Sequence, residues 1–293
     1  MAVLKFDAAA HHLRSQAKAA VKFVLGKRLT RILRNALGTS RNMEPSAPEA
    51  IQPARPAPSY DADYLTTWHK TLDFLTDREF LAAYHRGMDS GHRICRAPGS
   101  KADIHVEWRV HVILWAAWHA SQLPGDFVEC GVNTGMYSLA LCEYVKLNRL
   151  EKSIYLFDTF SGIPREQITD REMELGRLQE NEQWYEECYE TAKRNFAPFP
   201  RAILVRGRVP DSLATQTIAR VCYLSIDMNI VEPEIAAIRF FWDKLSPGAP
   251  VVLDDYGWAG FAPQKEAMDA FAAEKGVKIL NLPTGQGLLL KPR

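Results

Sequence analysis

The sequence predicts an α/β protein built on a mostly parallel sheet of seven strands, with helices on both faces and a final antiparallel strand. Three observations predict it. From residue 127 onward, short Val/Ile/Leu/Tyr-rich runs alternate with helical segments, the pattern of βα units laid into a parallel sheet. The first run empties through a Gly-containing turn, Glu129-Cys130-Gly131-Val132-Asn133-Thr134-Gly135, into a helix, which turns backbone N–H groups and a positive dipole end toward a small ligand. Four of the five parallel-strand candidates finish at acids, namely Glu129, Asp158, Asp227 and the pair Asp254-Asp255. Open α/β sheets bind ligands beyond those strand ends, so the acids converge on one crevice; singly, each could instead cap the turn or helix that follows.

With 293 residues, 47% of them apolar, the chain has room for one large domain plus appendages. Five cysteines, at 95, 130, 142, 188 and 222, are odd in number and never form a C-x-x-C pair, which indicates neither a disulfide framework nor a zinc site. A reducing, cytoplasmic setting fits them. No apolar run approaches the roughly 20 residues that span a bilayer, and no signal-peptide core opens the chain. The net charge of +1 hides an asymmetry, with nine Lys/Arg against one acid in residues 1–43 and a mildly acidic remainder. That balance argues against a general nucleic-acid binder.

Taken in order, residues 13–37 carry apolar positions at helical spacing with Lys and Arg between them, a basic amphipathic helix within an N-terminal unit of residues 1–39. Such a helix suits an anionic membrane surface, a partner, or the protein's own body. Five prolines among residues 40–59 make a linker. Residues 60–293 form the remaining domain, with a helical part at 60–123 and a sheet-bearing core at 124–293. Helical spacing through Tyr64, Leu65, Trp68, Leu72, Leu75, Phe80, Leu81 and Tyr84 predicts helix over 61–92. A loop follows at 93–101, and a very apolar helix at 107–123 ends at Pro124-Gly125. These helices offer a surface for a homo-oligomer. Strands are expected at 127–129, 153–158, 202–206, 221–227 and 251–254, and helices at 136–147, 184–196, 234–245 and 264–275. Runs at 277–282 and 287–291, split by Pro283-Thr284-Gly285, suit a closing antiparallel pair. The charged stretch 165–181 is long for a βα connection and reads as part of a lid or as an ordinary solvated helix. Gln183-Trp184-Tyr185 would add an aromatic wall. Trp258 lies near the acids, to pack on a substrate or to fill the core.

The first turn is a poor nicotinamide fingerprint. From Gly131 the G-x-G-x-x-G spacing would need glycines where Asn133 and Met136 stand, and no Lys-Ser/Thr follows to make a phosphate loop. Asp158, 23 residues after Gly135, is placed where the second strand of a nucleotide-binding unit delivers an acid to a ribose diol. An acid opening the loop suits a ligand with an ammonium and a carboxylate better than a pyrophosphate, which points to S-adenosylmethionine.

The stretches Gly125 to Val132, Phe157-Asp158-Thr159-Phe160-Ser161-Gly162-Ile163-Pro164, Gly207 to Leu213, Leu224 to Asn229, and Leu245 to Gly248 with Val252 to Gly257 together resemble the macrocin O-methyltransferase family. The resemblance covers roughly residues 105–291. It implies a Rossmann-like class I methyltransferase that methylates hydroxyls, typically on sugars of natural products, with S-adenosyl-L-methionine and a divalent cation. Carried over residue by residue, it implies cofactor contacts at Glu129, Gly131, Asn133, Thr134, Gly135, Asp158, Thr159 and Gly207, and a cation site at Asp227, Asp254 and Asp255, which would also carry the chemistry. Three carboxylates make a hard oxygen site, so Mg²⁺ is expected over zinc; all eight histidines lie at or before His119 and offer no ligand from the second half of the sheet. The cation would lower the pKa of the acceptor hydroxyl, with Asp255 a candidate proton acceptor. The chain departs from the family after Asp227, with Asn229 and Val231 where a second Asp and a Tyr are usual, and with Ile230 where the related catechol enzymes place a Lys. A reading of a different class is a non-catalytic cofactor-binding scaffold recruited through the basic helix; a nucleotide-dependent oxidoreductase is disfavoured by the loop spacing.

Overall fold

The computed structural model describes residues 57–97 and 100–293, so the basic segment 13–37, most of the Pro-rich linker and Pro98-Gly99 lie outside the described residues. The expected parallel strands are β3 (Asp126–Cys130), β4 (Ile154–Asp158), β5 (Ala202–Arg206), β6 (Val221–Ile226) and β7 (Pro250–Leu253). The closing pair is β8 (Leu280–Asn281) and β9 (Gly287–Leu290). They form one seven-stranded sheet in the order β5-β4-β3-β6-β7-β9-β8, in which only β9 runs against its two neighbours. The order reverses direction between β3 and β6, and the crevice above that switch point is where an open sheet accepts a ligand.

The central strands β3, β6 and β7 are buried on both faces, which explains their unbroken apolar character. Side chains alternate between two cores: Phe127, Ile154, Leu156 and Tyr223 face one, and Val128, Phe157, Leu224 and Ile226 face the other. The first core is closed by helices α1 (Arg78–Met88), α2 (Glu107–Ser121), α3 (Met136–Tyr144) and, across the α4 (Asp170–Glu174) and α5 (Arg177–Trp184) turns, α6 (Tyr189–Phe196). The second is closed by α7 (Val231–Trp242) and α8 (Ala262–Glu274). Among the described residues no helix is long and apolar enough to cross a membrane. Cys130, Cys142, Cys188 and Cys222 are free and buried, and Cys95 is free and exposed.

Two helix expectations are corrected. Residues 60–67 form a hairpin, β1 (Tyr60–Ala62) paired antiparallel with β2 (Leu65–Thr67), and helix begins only at a short 3₁₀ turn, Asp73–Thr76. The apolar spacing there was fortuitous: Tyr64, counted as a helical core position, is 96% exposed at the hairpin tip. Local chemistry favours the hairpin, since Thr66 Oγ1 donates to Asp61 Oδ1 across the strands at 2.7 Å and Tyr60 OH donates to Glu107 Oε2 at 2.8 Å. The expected helix 184–196 is broken at residues 185–188, where Cys188 N–H leaves the helical pattern to donate to Phe160 C=O at 2.8 Å. Of the expected range before the break, only Trp184 is helical, as the last residue of α5. The α4–α5 segment has its own start signal, a capping box in which Thr169 and Glu172 bond reciprocally.

Candidate active site

The loop after β3 is shaped by close backbone approach. Gly131 has φ +90°, and a Cβ there would lie 1.8 Å from the carbonyl oxygen of Asp227 at the end of β6. Glycine is therefore what lets β3 and β6 bring their ends together. Asp158, at the end of β4, organises the same loop: its Oδ2 accepts from the N–H groups of Val132 and Asn133 at 2.5 and 2.7 Å, and its Oδ1 from Phe160 N–H at 2.6 Å. Thr159 Oγ1 donates to Gly162 C=O at 2.6 Å and steadies the next loop.

Above these strand ends lies a cavity of about 440 Å³, within the range of small-molecule sites. Glu129, Gly131, Asn133, Asp158, Thr159 and Gly207 line one side, and Asp227, Asp254 and Asp255 another. Thr134 and Gly135 do not line it. Thr134 Oγ1 lies 3.2 Å from Ser90 Oγ and its C=O accepts from Asn195 Nδ2, while Gly135 lets the Phe196 ring pack against α3, where a Cβ would meet that ring at 2.4 Å. From the α5 side, Trp184 and Tyr185 reach the cavity, as does Trp258 from the loop after β7.

The three aspartates converge: one carboxylate oxygen from each of Asp227, Asp254 and Asp255 lies within 4.8 Å of the others. Asp254 and Asp255 are 4% and 9% exposed, and Asp255 Oδ2 is buried without a hydrogen-bond partner. Burial, then the charges of Asp254 and Asp255, push the Asp227 carboxyl well above the usual range. Burial and Asp254 push Asp255 up to about 7, against the pull of Arg109 and Arg177. Glu129 is likewise raised by burial and by Asp158 and Asp254. Crowded oxygens that resist ionising together, one of them unpartnered, are a donor set that fits a hard divalent cation.

Sequence reasoning missed Arg109. On α2 its Nε and Nη2 donate to both oxygens of Asp63 at 2.7 and 2.8 Å, and its Nη1 donates to Asp254 Oδ2 at 3.0 Å. Its guanidinium carbon sits 5.1 Å from the Trp258 ring centroid. Asp254 is further held by Gln286 Nε2, donating to Oδ1 at 3.0 Å, and by Tyr137 OH at 3.4 Å. The available signal was a lone arginine within an apolar helix, since a buried charge needs a partner. Gln286, wholly buried between turn and strand, carried no comparable mark. Asn229 Nδ2 lies 3.4 Å from Asp227 Oδ1, and Ile230 lines the cavity with an aliphatic side chain that cannot exchange a proton.

A family model described as macrocin-O-methyltransferase (TylF) matches residues 113–281. One similar sequence is an 8-demethyl-8-(2,3-dimethoxy-alpha-L-rhamnosyl)-tetracenomycin-C 4'-O-methyltransferase of Streptomyces olivaceus, 27% identical over 146 residues, 47% of this chain and 55% of that one. Another is a demethyldecarbamoylnovobiocin O-methyltransferase of Streptomyces niveus, 26% identical over 160 residues, 53% of this chain and 60% of that one. The match thus spans somewhat over half the length of these relatives. Among solved structures, the O-methyltransferase NovP superposes with a TM-score of 0.60 at 20% identity, covering 70% of this protein and 88% of that one. CalS11, a calicheamicin methyltransferase, gives 0.51 at 17%, covering 75% and 97%. At these identities the likeness is one of fold.

Proposed function

The chain belongs to the macrocin-O-methyltransferase family and has the class I methyltransferase fold, and from that premise we propose that it transfers a methyl group from S-adenosylmethionine to a hydroxyl of a sugar or glycosylated small molecule, assisted by Mg²⁺. The observation that carries the reading is the meeting, in one cavity, of the loop from Glu129 to Gly135 with the Asp227, Asp254 and Asp255 carboxylates. Glu129, Gly131, Asn133, Asp158, Thr159 and Gly207 would bind the cofactor, Thr134 and Gly135 fixing the loop from behind. Asp227, Asp254 and Asp255 would hold the cation, which when bound supplies Lewis acidity that makes the acceptor hydroxyl easier to deprotonate. The residues' own work is to orient and to exclude water, since methyl transfer from a sulfonium needs an in-line oxygen more than further activation. Asp255, one of whose oxygens has no hydrogen-bond partner, would take up the acceptor's proton.

The test is calorimetry of the purified protein with S-adenosylmethionine, S-adenosylhomocysteine and NAD, followed by labelled methyl transfer to a panel of rhamnosylated aromatic compounds with Mg²⁺ or with EDTA. Binding of both adenosyl ligands but not NAD is expected, with transfer abolished by EDTA. Cofactor binding without transfer to any acceptor would favour a scaffold, and transfer undiminished by EDTA would remove the cation from the reading.

The cluster also sets a pH dependence. The folded pKa of Asp255, about 7, lies above the unfolded value of 3.8, so its favourable contribution is complete below about pH 4 and is lost as pH rises through 7. Melting temperature in EDTA is expected to fall between pH 4.5 and 7.5, and added Mg²⁺, which competes with protons for the carboxylates, to stabilise more at pH 7.5 than at pH 5. Equal Mg²⁺ shifts at both pH values would contradict it.

A further inference from the structure

We propose that the tip of the β1–β2 hairpin is the subsite for the acceptor's sugar ring, with Tyr64 and Trp258 as its aromatic walls. The proposal rests on the reading of the preceding subsection and adds to it where the acceptor binds and which residues select it. The hairpin turns on two residues, Asp63 and Tyr64, both with left-handed backbone at φ +49° and +58°. That geometry favours Asn or Asp first and glycine second, because a large side group in this region is crowded by its own backbone. Tyrosine in the glycine position therefore works against the turn, and at 96% exposure its ring adds nothing to the core. Strain retained at a cavity's edge with no folding benefit points to function.

The ring stands where a ligand would use it. Tyr64 meets Trp258 edge to face, with centroids 5.7 Å apart and planes at 82°, and both residues line the cavity that contains the three aspartates. The tip is tied to the acids through Arg109, which binds Asp63 with two hydrogen bonds and Asp254 with a third. A fork of this kind fixes orientation as well as distance. Trp258 is steadied in turn by the Arg109 guanidinium over its ring and by Gly285 behind it, where a Cβ would lie 2.3 Å from Nε1. Two amphipathic aromatics at right angles beside a hydroxyl-binding acid cluster suit a ring with apolar C–H faces and polar edges, which is a pyranose. An unglycosylated, flat aromatic acceptor would find no parallel pair of rings to enter.

The test uses the full-length protein saturated with S-adenosylhomocysteine, with methyl α-L-rhamnopyranoside as probe and saturation-transfer NMR as readout, for wild type, Tyr64→Phe and Tyr64→Gly. Wild type and Tyr64→Phe are expected to transfer saturation to the sugar ring protons. Tyr64→Gly is expected to weaken the probe's binding at least fivefold while keeping S-adenosylhomocysteine affinity within twofold and melting at the same or a higher temperature. A merely structural tyrosine would instead lower the melting temperature on replacement, and that result overturns the proposal. So does a Tyr64→Gly protein that binds the sugar as wild type does, or a wild type that binds S-adenosylhomocysteine but not the sugar. A wild type that fails to bind S-adenosylhomocysteine would sink the underlying functional reading, and this proposal with it.

Discussion

Asp255→Asn is expected to cut methyl transfer at least about a hundredfold, several kcal/mol of transition-state stabilisation, while raising the melting temperature of the cation-free protein at pH 8. The two effects follow from one geometry. Asp255 is 9% exposed, its Oδ2 has no partner, and Asp254 and Asp227 crowd it within 4.8 Å. An amide keeps the shape and one oxygen but removes a charge that the folded protein holds at a cost. Because the backbone carbonyl of Asp255 still accepts from Trp258 N–H at 3.2 Å, the local turn survives the change. Activity lost together with stability would mean that the carboxylate serves the fold; activity retained would take Asp255 out of the reaction.

Gly131→Ala is expected to destabilise the protein by more than about 3 kcal/mol, by overpacking and by strain at positive φ together, and to abolish binding of the adenosyl cofactor. The new methyl would stand 1.8 Å from the Asp227 carbonyl oxygen and 2.4 Å from its carbon, both backbone atoms that no rotamer change can move. Gly276→Ala provides the comparison. It shares a positive φ, +66°, but has nothing within 4 Å of the added Cβ, so its cost should be only about 1 kcal/mol. Urea unfolding of both variants separates backbone conformation from collision, and two similar losses would contradict the close approach.

The sheet was largely legible because its central strands are buried on both faces, so their apolar runs are uninterrupted and end abruptly at polar residues such as Asp158 and Asp227. The carboxylates at those ends could be located for the same reason, although not their mutual distances. What escaped was set by tertiary contact. The hairpin at 60–67 is short, carries no Gly or Pro at its turn, and has an exposed tyrosine in apolar register with a later helix, so periodicity pointed the wrong way. Arg109 lies 145 residues from Asp254, and only the packing of α2 beside β7 brings them together. Thr134 and Gly135 sit in the binding loop by sequence, yet one turns toward Ser90 and the other toward Phe196, a choice made by α1 and α6.

The position of β9 has a consequence for the order of events during synthesis. It is inserted between β7 and β8, and the turn before it delivers Gln286 to Asp254. The five parallel strands and α2 are available long before residue 290 leaves the ribosome, but the edge of β7 stays unpaired, and Asp254 lacks its amide donor, until the last strand threads in. An unpaired edge invites wrong partners in the interval. A nascent polypeptide stalled short of residue 286 would expose an unpaired strand edge beside an unfinished acid cluster.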